Sequence, residues 1–513
     1  VLTFIARRLA LGAAILLIAT FLMYVLVDLA IDPLDDLRTS TAPNKEFLIR
    51  DRIELLRLDE PVVVRYGAWL GGVTGCVIGQ CDLGEAWRSG QAVSTLVGSA
   101  LASTFQLVTA SIVLAIVLGV SVGIVSALRQ YTSFDYLITF TSFLLYSLPS
   151  FWVAVLLKQW GAIGFNDFLE DPYLTWAALA AVSAVVGVVW VLAVGGGPRR
   201  RLQTFALAAG ATLASLAYLQ LSGWWTTPNI GPVLLAVTGV GLALGVTELS
   251  TGLRNRRSLY SALTSVALGV ALYYPMQYFF FYVPMSWGLA LVLALVTIGV
   301  GMAIGYAWGG PDRGQSARTA AIVSFLVAGM IFVDRVMQVW PEYYAAAVIG
   351  GRPIATFGDR TPNLGGDFWV QTLDSFTHLV LPTLTLVLIA FAGYTRYARG
   401  SMLEVMNQDY IRTARAKGLT ERTVVMRHGF RNSLIPLATI IPLDVITLVG
   451  GAIITENIFG RPGMGQLFVR SLDDGEIEPV MAYLVIVAAA AIIANLVADI
   501  IYAGLDPRIR VNA

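Results

Sequence analysis

The chain has 513 residues, 57% of them hydrophobic and 13% charged, with 34 basic against 33 acidic side chains and a formal net charge of +1. Its mean hydropathy of +0.73 implies more apolar side chain than a soluble core of this size hides, which places the sequence in a bilayer. Near-zero net charge excludes bulk attraction to nucleic acid, so any electrostatic message lies in where the charges sit.

Runs of about 20 mainly apolar residues begin at 9–30, where Arg7 and Arg8 precede a stretch long enough to span. That length reads as a first transmembrane helix rather than a removable signal. A segment at 31–98, acidic on balance, holds both cysteines in "CVIGQC". Cys76 and Cys81 are read as a disulfide closing a small hairpin, with unpaired inert thiols as the alternative. Further spans are predicted at 99–128, 136–157, 174–195, 202–222, 231–249, 259–281, 287–308, 319–340, 378–397, 434–455 and 480–504, giving an all-α polytopic fold of twelve helices.

Orientation follows from the basic residues of short loops. Arg199, Arg200 and Arg201 share one loop, Arg254, Arg256 and Arg257 another, and Arg313 and Arg318 a third, whereas "SGWWTTPN" and "FYVPMS" between them carry none. With both termini cytoplasmic, every basic loop falls inside, together with the terminal "PRIR". The segments 31–98 and 341–377 are then external.

Past the span at 378–397 comes "DYIRTARAKGLTERTVVMRHGFRN", with Arg412, Arg415, Lys417, Arg422, Arg427 and Arg431 against Asp409 and Glu421 alone. Each cation would cost about 2.5–3.5 kcal/mol at mid-bilayer, so the island faces the cytosol. Ser401 stands three residues before Glu404, a capping-box spacing that starts a helix. Gly418 suits the left-handed residue that stops one. Thr420 caps a second short helix to about His428, and Thr413, Ala414 and Ala416 leave a smooth strip between the arginines. The plainer reading is an ordinary positive-inside loop.

At these residues the chain resembles a known family. "SMLEVMNQDYIRTARAKGLTERTVVMRHGFRNSLIPL" is similar to the cytoplasmic EAA loop of ABC transporter permeases of the dipeptide and oligopeptide importer family. "FIARRLALG", "LDEPVVVRYGAWLGGV", "DLGEAWRSGQAV", "YSLPSFW", "HLVLPTL", "GGAIITENIFGRPGMGQL" and "NLVADIIYAGLDPRIR" resemble other parts of it, in the family's order. The resemblance covers 1–172, with helices 1–3 and the external loop 31–98, and 341–513, with helices 4–6 and the coupling loop 401–432. It implies that Arg412, Thr413, Ala414, Arg415, Ala416, Lys417 and Gly418 pass the closure of a cytosolic ATPase to the membrane helices. It also implies two such ATPase subunits, a second related permease and an external solute-binding protein as partners. Arg412 replaces the glutamate of the general ABC pattern, and Arg431 stands where other ABC families have proline. Residues 173–340 resemble nothing in the family and are read as a six-helix insertion, either an accessory domain or a passive expansion.

A nucleotide site needs G-x-x-x-x-G-K-[ST], and Lys45, Lys158 and Lys417, the only lysines, lie outside that pattern. His378 and His428, the only histidines, fall on opposite sides of the membrane, which argues against a metal or histidine-based catalytic site; no cofactor is expected. Ionisable or polar groups within spans are functional candidates. Asp444 either lines the translocation path or accepts a hydrogen bond from a neighbouring helix, and Asn495 with Asp499 serves the path or helix packing. Asp334 and Arg335 read as local pairing or snorkelling. The competing class is a self-contained twelve-helix secondary transporter, but the two sets of six spans lack the repeated halves such proteins usually show.

Overall fold

The computed structural model describes residues 2–505. Among them the only strands are a two-residue pair, Glu85–Ala86 against Gln91–Ala92, and the rest of the regular structure is helical. The terminal "PRIR" lies outside the described residues.

Ten helices are long and apolar enough to cross a membrane, or up to twelve if each of two bent pairs counts as one span. In chain order these are α1 (Leu2–Ala30), α2 (Val93–Leu128), the pair α3 (Ser133–Ser147) and α4 (Ser150–Glu170), α5 (Trp176–Val194), α6 (Pro198–Leu221), α7 (Gly231–Ser250), the pair α8 (Arg256–Ala271) and α9 (Tyr273–Tyr282), α10 (Trp287–Trp308), α11 (Arg313–Gln338) and α12 (Phe368–Met406). After the short helix α13 (Asp409–Ala416) come α14 (Arg431–Gly451), the short α15 (Ile453–Ile458) and α16 (Met464–Asp473), and finally α17 (Ile477–Leu505).

The expected straight span at 136–157 is broken. α3 and α4 meet at 100°, because Pro149 drives Leu148 into an extended conformation (ψ 130°) that ends the helix. The span expected at 259–281 likewise bends by 48° between α8 and α9.

The centre of the molecule is α12 lying along α2. Two glycines permit the close approach: a Cβ at Gly119 would sit 2.8 Å from the Tyr394 Cβ, and one at Gly123 would sit 2.5 Å from the Thr395 carbonyl oxygen. Ala115, Val120, Ile124, Tyr394, Ala398, Met402 and Leu437 form the buried core between them. At the end of this pair Asp135, 2% exposed, accepts two hydrogen bonds from Arg399 (2.7 and 3.0 Å), one from the Ser126 hydroxyl (2.6 Å) and one from the Tyr131 amide (3.1 Å).

Residues 173–340 do not form one bundle. α5 and α6 make a hairpin beside α3, closed where Gly187 meets Phe205. α7–α11 instead share a core with the start of α12, including Val266, Phe280, Val327, Ile331, Trp369 and Leu373. The reading of Asp334 as a local or snorkelling pair with Arg335 is corrected here. Asp334 is fully buried and accepts from the Ile230 and Gly231 amides, the Tyr273 hydroxyl, and the Gln277 and Gln338 amides. The carboxylate thus holds the N-terminus of α7 against α9 and α11, where an anion is favoured.

At the other end of α2, Cys76 and Cys81 are joined in a disulfide. Nearby, Glu456 on α15 accepts from the Thr104 hydroxyl (2.7 Å) and from the Gly465 and Gln466 amides (2.7 and 3.2 Å), fixing the N-terminus of α16. Gly463 is required there, since a Cβ would lie 2.3 Å from that carboxylate. Burial pushes the Glu456 carboxyl up and the buried Arg461 guanidinium down from their ordinary pKa ranges. Arg461 donates to the Gln106 side chain at 2.9 Å and to the Ser103 carbonyl at 3.5 Å.

Candidate coupling surface and path residues

α12 runs for 39 residues without a break, about 58 Å at 1.5 Å per residue. It does not stop near 397 as the hydropathy suggested, because Tyr394, Ala398 and Met402 continue its buried stripe at four-residue spacing. Ser401 is therefore inside the helix rather than capping a new one, and its hydroxyl donates to the Ser433 carbonyl on α14 (2.8 Å).

The chain turns at Asn407 and Gln408 into α13. Ile411 and Ala414 face inward onto Val405, Met406 and Val424, while Arg412, Thr413, Arg415, Ala416, Lys417 and Gly418 are exposed. The smooth strip expected from Thr413, Ala414 and Ala416 is thus split, with Ala414 as the footing of the helix and the other two on its outer face. Gly418, at φ +74°, ends α13 in the left-handed region, with the Gly418 amide donating to the Arg415 carbonyl (2.9 Å). Thr420 caps the next turn through the Thr423 amide (3.4 Å), but that turn runs on through a π-helical stretch into α14 instead of forming a separate short helix.

Charge on this surface is uneven. Arg415 holds Glu421 with two bonds (2.7 and 3.2 Å), which raises the guanidinium's pKa above its ordinary value. Arg412 reaches Asp409 only at 3.5 Å. No ion pair is formed by Lys417, Arg427 or Arg431 among the described residues, and Tyr410, Leu419 and Met426 are exposed beside them. A basic, partly apolar platform results, anchored by its inner face and open on its outer one.

Asp444 and Asn495 are placed differently. Asp444 is half-buried on α14, close to Tyr394 of α12. Asn495 is exposed on α17. The Asp135–Arg399 clamp, Glu456 and Arg461 were not singled out from sequence: the clamp joins residues 264 apart, and the only hint was a pair of opposite charges at helix ends.

Comparison with known proteins bears on the family. Residues 272–511, just under half of the chain, match the model of the binding-protein-dependent transport system inner membrane component. Over those residues the chain carries that permease domain. It is similar to the oligopeptide transport system permease OppB of Mycobacterium tuberculosis (strain ATCC 25618 / H37Rv), 39% identical over 221 residues, covering 41% of this chain and 66% of that protein. It is also similar to the oligopeptide permease AppB of Bacillus subtilis (strain 168), 48% identical over 136 residues, covering 26% of this chain and 43% of that one. The dipeptide permease DppB of Escherichia coli (strain K12) is 44% identical over 138 residues, covering 27% and 41%. The chain thus spans less than two thirds of the length of the curated relatives it matches. The family match begins at residue 272, inside 173–340, so it does not establish that whole segment as an insertion.

Proposed function

We propose that this multi-pass membrane chain is the permease subunit of an ATP-driven importer of dipeptides, oligopeptides or a related solute. Its partners are two cytosolic ABC ATPase subunits, a second related permease and an external solute-binding protein, with both termini in the cytosol. The observation that carries the reading is α13: a short capped helix seated on α12, with Arg412, Thr413, Arg415, Ala416 and Lys417 turned outward.

ATPase closure presses on this outer face. Ile411 and Ala414 pass the displacement to Met406 and Val405, and so to an unbroken α12, while Arg399 carries it to α3 through Asp135. Gly418 and Thr420 keep α13 and the following turn at a fixed angle, so the push is not absorbed locally. Access then alternates as α12 and α14 tilt, with Asp444 at their contact and Asn495 on the α17 face turned toward the second permease. The 173–340 segment is an accessory membrane unit, and the chain supplies no ATPase site of its own.

Cross-linking tests the assignment. A cysteine replacing Lys417 should join to a cysteine in the groove of a co-expressed ATPase subunit, with a yield that changes on ATP binding. Sustained ATP hydrolysis by the purified chain alone, or no cross-link in an actively transporting complex, would overturn it.

A further inference from the structure

Between α8–α9, α10 and α11 lies a groove of about 520 Å³ whose walls are almost wholly apolar. It lies beside the 48° bend between α8 and α9, where Ala290, Ala294, Ala328 and Gly329 supply little side chain to close the gap. A Cβ built on Gly329 meets nothing within 4 Å. Two of the hydroxyls along the groove are satisfied by their own helices, Ser265 by the Ser261 carbonyl and Thr297 by the Leu293 carbonyl. From Trp287 to Val300 it follows α10 for about 20 Å, against a hydrocarbon core of ~30 Å. That is the reach of one acyl chain from one leaflet.

One end is chemically distinct. Phe280, Trp287 and Phe332 line the groove there, and Phe280 and Phe332 each pack 5.0 Å from Trp369. Arg335 lies over the same Trp369 ring at 5.9 Å and over Phe281 at 5.7 Å. Its Nη1 reaches only the Gln338 side-chain oxygen, at 3.4 Å, and its buried Nε has no partner. No acid pairs with it among the described residues; the adjacent Asp334 is spent on five other donors. A planar cation with unused donors, set in an aromatic collar at the end of an acyl-length groove, matches a phosphodiester above a hydrocarbon chain.

We propose that this groove is a phospholipid site, with one acyl chain lying between α9 and α10 and the phosphate held by Arg335. The proposal rests on the chain spanning a bilayer and is independent of what the permease carries.

The test is native mass spectrometry of the detergent-purified chain titrated with phosphatidylglycerol or with diacylglycerol of the same acyl chains. Wild type should retain one phosphatidylglycerol in preference to diacylglycerol by about tenfold or more, as a charge-assisted phosphate contact implies. Arg335→Gln should abolish that preference while leaving acyl-chain binding. Ala294→Phe and Gly329→Leu, which fill the groove from two helices, should remove both lipids. Equal retention of the two lipids by wild type, or a preference unchanged in Arg335→Gln, would overturn the phosphate contact. Retention by both groove-filling variants, or a homodimer whose cross-links run through α10, would overturn the groove as the site.

Discussion

Removing the Asp135 carboxylate should be the most damaging single change at the turn between α2 and α3. Asp135→Ala leaves the Arg399 guanidinium, whose side chain is 28% exposed, without its counter-ion. It also strands the fully buried Ser126 hydroxyl and the Tyr131 amide. Breaking a buried pair typically costs about 3–5 kcal/mol, and partial exposure of Arg399 reduces that term to about 2. The orphaned buried hydroxyl adds about 1 kcal/mol, so the expected loss is about 3 kcal/mol. Asp135→Asn, which keeps an acceptor for Ser126 or Tyr131 but not the charge, should lose roughly half as much. The assay is reversible unfolding in mixed micelles with a double-mutant cycle over Asp135→Ala and Arg399→Ala. A coupling energy of about 1.5 kcal/mol or more is expected for a bidentate charged contact. A value below about 0.5 kcal/mol would refute the claim that this clamp ties α3 to α12.

Gly418→Val forces a β-branched residue to φ +74°, a strain of roughly 1–2 kcal/mol; ATPase subunits should still co-purify while uptake per ATP hydrolysed falls. Glu456→Gln sets an amide nitrogen among three donors and should cost about 1–3 kcal/mol, read as faster proteolysis of the 459–466 loop. Arg422 donates to the Glu248 and Leu249 carbonyls, and a Cβ on Gly252 would lie 2.1 Å from its guanidinium; Arg422→Ala and Gly252→Val should each raise amide exchange at both 249–255 and 419–423. Cysteines at Arg200 and Arg256 should be labelled only from the cytosol and one at Thr227 only from outside; reversal at any of the three would break the assigned orientation.

Hydropathy made the spans legible because twenty apolar residues in a row have few other uses, and Gly418 announced its turn because only glycine adopts φ +74° without strain. The length of α12 was hidden for the opposite reason. A membrane count stops where the hydrocarbon stops, whereas the helix continues on protein contacts made by Ala398 and Met402. Pro149 did carry a signal for the break between α3 and α4, and a window average of hydropathy smooths it away. Ala414 and Ala416 look alike in sequence, but with 3.6 residues per turn they point to opposite sides, and only the seating of α13 says which is inward. The bonds around Asp135 and Asp334 depend on which helices become neighbours, which no local pattern records.

The coupling role of the 409–418 surface is tested most directly by Ala416→Glu, measured as co-purification of ATPase subunits and ATP-driven uptake in reconstituted vesicles. Ala416 is exposed on the outer face, so the free chain should insert and fold normally. Inside a close-packed groove, by contrast, the added volume costs about 1–3 kcal/mol and the unpaired carboxylate adds to that. Co-purification and uptake should both be lost, and a variant that retained both would contradict the proposal that this surface receives the ATPase.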